Sequence, residues 1–189
     1  KKINRFPIPA LIGLHQLRNA GLAIAALKHF SVFRISDSAI SLGLKSVQWP
    51  ARMQRLTKGF LVDKLPEGWE LWLDGGHNAA AGKMIAMHAR SWRDKPLHLI
   101  FGMINSKSPD DFLKCLEGRI GLFRGVTIPG EDNSFSAQEV TNEALKLRMN
   151  AKTAASVEAA LEDIVNKKEK GRVLIVGSLY LAGLILKEN

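Results

Sequence analysis

A single cysteine in 189 residues, Cys115, leaves no route to an intramolecular disulfide. It lies in the apolar pattern "DFLKCLEG", which reads as a small buried thiol in a reducing compartment. Long hydrophobic runs are missing too. A bilayer span needs roughly 20 uninterrupted apolar residues. The longest candidate, "VLIVGSLYLAGLIL" from Val173 to Leu186, stops short and carries two glycines. The chain has no secretory pattern of basic start, apolar run and small-residue cleavage site, and it begins with Lys rather than Met. A piece cut from something longer is therefore expected.

Several catalytic signatures are absent as well. Neither Gly-x-Gly-x-x-Gly nor Gly-x-x-x-x-Gly-Lys-Ser/Thr occurs, so no phosphate-cradling loop of those two types is present. No Gly-x-Ser-x-Gly elbow offers a nucleophile. Of the five histidines, His15, His29 and His88 fall in helical or linker contexts with no ligand partner at i+4, and no second Cys could help bind zinc. No metal site is expected.

What remains is an ordinary globular composition, 46% hydrophobic and 24% charged with a mean hydropathy near zero. That balance excludes both a disordered acidic tail and a membrane-spanning protein. The excess of Lys and Arg over Asp and Glu, 27 − 18 = +9, is scattered along the chain, with local runs only at "NKKEKGR" and the first five residues. A nucleic-acid surface would gather those cations on one face among aromatics. Attraction of anionic small molecules is the reading that fits.

"IPALIGLHQLRNAGLAIAALKHF" predicts an opening helix whose start is set by Pro7 and Pro9, with an apolar stripe of Leu14, Leu17, Gly21 and Ile24. "HFSVFRI" reads as a connection, and "SDSAISLGLKSV" as a short helix capped by Ser36 or Asp37. "ARMQRLTKGFLVDKL" suggests a hairpin turning near Lys58-Gly59. From there strands ("WELWLD", "PLHLIFGM", "GLFRGVTIP", "RVLIVGS") alternate with helices. The helix starts are marked by Asn78, by Ser108 with Pro109, and by the Ser136/Glu139 capping-box spacing. "AASVEAALEDIVNKKEKG" is expected to be helical up to a Lys-rich turn and Gly171, and "LYLAGLIL" to close the chain. The fold class that follows is α/β, a mostly parallel sheet of about six strands with helices on both faces, Rossmann-like.

In such a sheet, ligands meet the loops at the carboxyl ends of the strands. Three loops qualify: "LDGGHNAAAG", "FGMINSKSPDD" and "VGSLYLAG". The first brings together Asp74, two glycines and His77-Asn78 at a helix N-terminus, where backbone N–H groups favour an anion. The third offers Gly177-Ser178, and the second Lys107 and Ser108. Each feature has a plain alternative as a capped turn.

Four motifs in order, "LIGLHQLRNAGLAIAAL", "VQWPARMQRL", "LDGGHNAAAG" and "VGSLYLAG", resemble the C-terminal part of the folylpolyglutamate synthases and dihydrofolate synthases. These are Mur-ligase-like ATP-dependent amide ligases, and the resemblance spans nearly the whole chain. It implies that residues 1–30 are the terminal helix and linker of an ATPase domain and 31–189 a C-terminal α/β domain of the Mur ligase type. ATP and Mg²⁺ would be used, with the phosphate loop, the magnesium ligands and most of the folate site outside this chain. The reaction implied joins L-glutamate to reduced folate, and in some members to dihydropteroate, through an acyl phosphate. This chain alone would be inactive. A cytoplasmic monomer is implied, acting on these small molecules with no nucleic-acid or membrane partner.

Carried over by motif, the resemblance puts Asn19, with His15 and Gln16 beside it, at the nucleotide base. Arg52 would reach the ATP phosphates, where its planar fork suits phosphate oxygens, and Asp74 the nucleotide ribose. His77, as the catalytic candidate, would position the incoming glutamate, with Ser178 as a further substrate contact. Structural alternatives stand beside these: a solvated Arg52, a helix-packing Asn19, a His77 paired with Asp74 and a capping Ser178. Two positions depart from the family pattern, Ala79 where Pro is common and Leu184 where an acid often stands. Two other readings fit the same elements, a Mur-type peptidoglycan ligase domain and a non-catalytic α/β binding module.

Overall fold

Strand residues that alternate between two apolar faces force a sheet covered on both sides, and the computed structural model has that form. It describes residues 5–30, 34–166 and 170–188. Residues 1–4, 31–33 of the expected connection, 167–169 of the expected Lys-rich turn and 189 lie outside the described ones. The chain divides into two compact units, residues 1–50 and 51–189.

The first unit contains helix α1 (Leu14–His29) and helix α2 (Asp37–Ser46). The backbone N–H of Ala10 donates to the Leu44 carbonyl at 2.8 Å, which ties the segment before α1 to the end of α2. Ser36 caps α2 by accepting from the N–H of Ala39. Two expectations for α1 need correction. It begins at Leu14 behind Gly13, not at Pro7 and Pro9, because Gly13 adopts a φ of 116° that ends the extended lead-in. Nor is its apolar stripe buried. Leu14 and Leu17 are exposed, no atom lies within 4 Å of a Cβ built on Gly21, and Gln16 is the helix's buried residue.

The second unit is built on six strands: β1 (Gln54–Leu56), β2 (Glu70–Asp74), β3 (Leu97–Phe101), β4 (Ile120–Gly125), β5 (Ala151–Thr153) and β6 (Arg172–Val176). Their spatial order is β1-β2-β6-β3-β4-β5, with β1 antiparallel to β2 and every other pair parallel. Leu71, Leu73, Val173, Ile175 and Ile100 point to one face. There they pack on α3 (Phe60–Asp63), α7 (Val157–Val165) and α8 (Leu179–Glu188). Trp72, Leu174, Val176, Leu99 and Phe101 point to the other face. These meet α4 (Ala79–Ala89), α5 (Pro109–Leu113) and α6 (Ala137–Lys146). Side chains alternate across a strand, so the central strands feed both cores and are mostly apolar, with His98 in β3 and Arg124 in β4 among the buried exceptions.

The local signals at the helix starts hold. Asn78, Ser108 and Ser136 each accept from a backbone N–H in the first turn, and Ser136 and Glu139 close a full capping box. Ser156 caps α7 in the same way, a cap not among the expected ones. The expected hairpin does not form. Only Gln54–Leu56 is extended, and it pairs with β2 instead of folding back on residues 60–63, which wind into α3 after Gly59. Strand β5, a three-residue edge, is an addition to the expected strands.

Candidate functional site

Strand register decides which loops can cooperate. Asp74 at the end of β2 is paired with Val176 at the end of β6, and Val176 with Phe101 at the end of β3. The three loops singled out by the carboxyl-end rule therefore leave the sheet side by side. The N–H of Gly102 donates to the Val176 carbonyl at 3.2 Å, which extends the ladder one step into them.

Asp74 organises the first loop. Its Oδ1 accepts from the N–H of Gly76 at 2.7 Å and its Oδ2 from the N–H of Met53 at 2.8 Å. The residue is 6% exposed. His77 follows, half-buried, with Nδ1 3.2 Å from the carbonyl oxygen of Gly75. Asn78 then caps α4, accepting from the N–H of Ala81 at 2.9 Å. The turn survives with Ala79 where the family commonly has Pro, since the first helical turn only tolerates Pro and does not require it.

Arg52 is brought to the same corner by its neighbours. Ala51 and Met53, on either side of it, have φ values of 55° and 43°. Left-handed backbone costs a non-glycine residue roughly 1–2 kcal/mol, so the surroundings must hold it. They do. Besides the Met53 bond to Asp74, the N–H of Gly75 donates to the Ala51 carbonyl at 2.9 Å. The Ala51 N–H donates to Oε1 of Gln54 at 2.8 Å. Ala51 and Met53 are buried, Arg52 is half-buried, and among the described residues its guanidinium has no hydrogen-bond or ion-pair partner. Arg52 and Asp74 thus share one corner of the sheet. Gln54 is a site residue that sequence reasoning misses. The signal available is its place at the start of a strand two residues after the motif Arg, where its amide can reach back.

The third loop closes the row. Gly177, with φ 119°, packs against the Gly102 backbone. Ser178 is 2% exposed and its Oγ accepts from the N–H of Tyr180 at 3.1 Å, while its carbonyl accepts from the N–H of Ala182. The hydroxyl therefore serves the start of α8. Leu184, where the family often has an acid, lines an apolar groove with Ile128, Pro129, Leu179 and Tyr180. Lys107 and Ser108, from the second loop, border a different cleft, with Glu139 and Glu143.

The remaining candidates lie in the first unit. Asn19 is exposed and donates from Nδ2 to Oε1 of the buried Gln16 at 3.0 Å. His15 stands one turn before Asn19, on the same side of α1, and its buried Nδ1 has no partner among the described residues. Among the described residues no group of three or more His, Cys, Asp or Glu could hold a metal ion, and no helix is long and apolar enough to cross a membrane.

No protein-family model matches the chain. In sequence it is 27% identical over 188 residues to the dihydrofolate synthase/folylpolyglutamate synthase of Bacillus subtilis (strain 168), covering 94% of this chain and 40% of that protein. The chain thus spans about two fifths of that relative's length. In structure it matches the ligand-free bifunctional folylpolyglutamate synthase/dihydrofolate synthase of Yersinia pestis with a TM-score of 0.78 at 23% identity. That match covers 99% of this chain and 42% of the other. The Mycobacterium tuberculosis folylpolyglutamate synthase complexed with ADP and AMPPCP gives 0.78 at 21% identity, over 95% and 41%. In sequence this chain is similar to a folylpolyglutamate/dihydrofolate synthase, and in fold to structures of such synthases, over about two fifths of their length.

Proposed function

We propose that the chain is the C-terminal domain of an ATP-dependent ligase that adds L-glutamate to reduced folate, with dihydropteroate as a second acceptor. The observation that carries this reading is the shared corner of Arg52 and Asp74 beside Gly177-Ser178, at the carboxyl end of a parallel sheet. Neighbouring structures of the same fold are described with AMPPNP, Mn and L-glutamate bound, and with ADP and AMPPCP. The proposed role of residues 1–30 is the terminal helix and linker of an ATPase domain, with residues 31–189 as the glutamate-side domain.

In the proposed reaction the acceptor carboxylate takes the γ-phosphoryl group of ATP, releasing ADP and leaving an acyl phosphate. The amine of glutamate attacks the acyl carbon, an amide forms, a proton is lost and inorganic phosphate departs. Negative oxygens crowd the first step, so a planar guanidinium that can fork across two of them lowers its barrier more than an ammonium would. Arg52 supplies that guanidinium, and Asp74 contacts the nucleotide at its ribose. His77 positions the incoming glutamate, with Ser178 as a further substrate contact, and Asn19 with His15 and Gln16 contacts the nucleotide base. Mg²⁺ would neutralise phosphate charge when bound. Its ligands are assigned to the ATPase domain. Confining ATP hydrolysis to the substrate-loaded state is the general use of a second domain in such ligases. The protein is proposed to work as a cytoplasmic monomer in folate and one-carbon metabolism.

The test is direct. The full-length protein is incubated with ATP, Mg²⁺, L-glutamate and either a reduced folate or dihydropteroate. ADP release that requires both acceptor and glutamate, with a product heavier by one glutamyl residue, supports the reading. Failure of both acceptors, with activity on a nucleotide-linked peptide acceptor, would move it to the peptidoglycan branch.

A further inference from the structure

We infer that Gln54 is a positioning residue for the proposed phosphoryl transfer, its side-chain amide setting the turn that carries Arg52. The inference rests on the proposed role of Arg52 at the phosphates.

Arg52 sits between Ala51 and Met53, both at positive φ and neither a glycine. Such backbone persists only where the surroundings over-determine it. At Ala51, which is 3% exposed, both main-chain polar groups are held. The carbonyl accepts from the N–H of Gly75 at 2.9 Å, a bond between two main chains. The N–H donates to Oε1 of Gln54 at 2.8 Å, and this bond depends on a side chain. A buried N–H needs an acceptor, and among the described residues no other group accepts from this one.

Gln54 can hold the turn because its own backbone is fixed. It is half-buried, opens β1 and pairs with Leu73 in the middle of the apolar strand β2. A strand gives a functional group a firmer base than a loop does. From that base the amide reaches back three residues to the start of the turn. The guanidinium of Arg52 makes no hydrogen bond or ion pair of its own among the described residues, so its position follows that of the backbone beneath it. A reacting group misplaced by about 1 Å can cost on the order of 100-fold in rate. A loosened turn is therefore read in kcat.

The experiment uses the full-length protein with Gln54→Ala, Gln54→Asn and Gln54→Glu, and Gln54→Ala combined with Arg52→Ala. Gln54→Ala is expected to lower kcat about 10-fold, with the KM for glutamate and for the folate acceptor near that of the parent. Gln54→Asn, one methylene shorter, withdraws the acceptor oxygen and should behave in the same way. Gln54→Glu keeps that oxygen at the same reach and should recover most of the turnover. In the Arg52→Ala background Gln54→Ala should add little. Nucleotide titration gives a readout apart from turnover. AMPPNP binding should weaken several-fold in Gln54→Ala while ADP binding stays as in the parent, because ADP lacks the phosphate that Arg52 is proposed to meet. A purely structural role would weaken both alike.

Parent-like turnover in both Gln54→Ala and Gln54→Asn would overturn the inference. So would equal weakening of ADP and AMPPNP, or losses that multiply in the double variant. If Gln54→Ala does not fold, Gln54→Asn carries the same readouts. If Arg52→Ala alone binds AMPPNP and turns over as the parent does, the phosphate role of Arg52 fails and the inference falls with it. Multiplying losses, in contrast, would leave that role standing.

Discussion

Gly177 lies so close to Gly102 that a Cβ built on it would stand 2.5 Å from the Gly102 carbonyl oxygen. The contact joins the loops after β6 and β3, and with a φ of 119° at Gly177 it leaves no room for any other residue. Gly177→Ala is expected to cost more than about 2 kcal/mol, from backbone strain and the displaced carbonyl together. Gly183, inside α8, has no positive φ, and a Cβ built on it would meet no atom within 4 Å. Gly183→Ala should therefore stabilise by about 0.5–1 kcal/mol. Urea unfolding of the two variants, read beside the parent, checks both signs.

Acid should weaken the opposite end of the sheet. Arg172, stacked on the Trp92 ring at 5.1 Å, forks between Glu70 and Asp94, and Glu70 also accepts from Lys95 Nζ and Trp72 Nε1. Burial pushes the Glu70 carboxyl up, but the hydrogen bonds from Lys95, Arg172 and Trp72 outweigh it and hold the group at about 2, against its ordinary 4.5. A carboxyl held low in the fold stabilises fully above its unfolded value. That contribution is lost as pH falls from 4.5 towards 2. Solvent beside the exposed Asp94 screens the cluster, so about 1–2 kcal/mol is expected from this group. His88 adds to the trend from higher pH. Burial, and then the charge of Arg172, hold its imidazole below 6.5, so the unfolded chain binds the proton more readily. Unfolding free energy measured from pH 7 to pH 3 should fall throughout in the parent, and Glu70→Gln should flatten the limb below 4.5.

Arg124 is the largest side chain among the fully buried ones, 2% exposed near the carboxyl end of β4. Its Nε donates to Asp163 of α7 and its Nη1 to the Phe123 carbonyl at 2.7 Å. Asp163→Ala leaves the guanidinium enclosed without its anion and is expected to cost about 2–3 kcal/mol. Asp163→Asn keeps an acceptor oxygen and should cost less than half as much. Equal losses in the two variants would mean that charge rather than hydrogen bonding holds Arg124.

How far the sequence reaches depends on the range of the interaction that sets each element. Leu71, Trp72 and Leu73 announce a strand with two apolar faces, and Asn78, Pro109 and the Ser136/Glu139 pair mark helix starts through contacts three residues long. Those elements are legible in the chain. Strand β5 is not, because Ala151-Lys152-Thr153 is extended only through its pairing with Phe123, Arg124 and Gly125. The hairpin expected at Lys58-Gly59 fails for a similar reason. Strand β1 finds its partner in β2, Gln54 opposite Leu73 and Leu56 opposite Leu71, rather than in the residues next door. In the candidate site, Arg52, Asp74 and Ser178 carry motif residues and can be named from sequence. The bond from Met53 to Asp74 and the support from Gln54 cannot, because the strain they offset is a property of the folded backbone.

Whether Arg52 meets the transferring phosphate is read from the turnover of the full-length protein carrying Arg52→Ala or Arg52→Lys. ADP release would be followed at saturating ATP, glutamate and folate acceptor, with the KM for glutamate measured alongside. Arg52→Ala is expected to lose about 2–4 kcal/mol in transition-state stabilisation. Only partial recovery is expected in Arg52→Lys, whose ammonium cannot fork across two oxygens, and the glutamate KM should stay near that of the parent. Unchanged turnover in Arg52→Ala would contradict that contact.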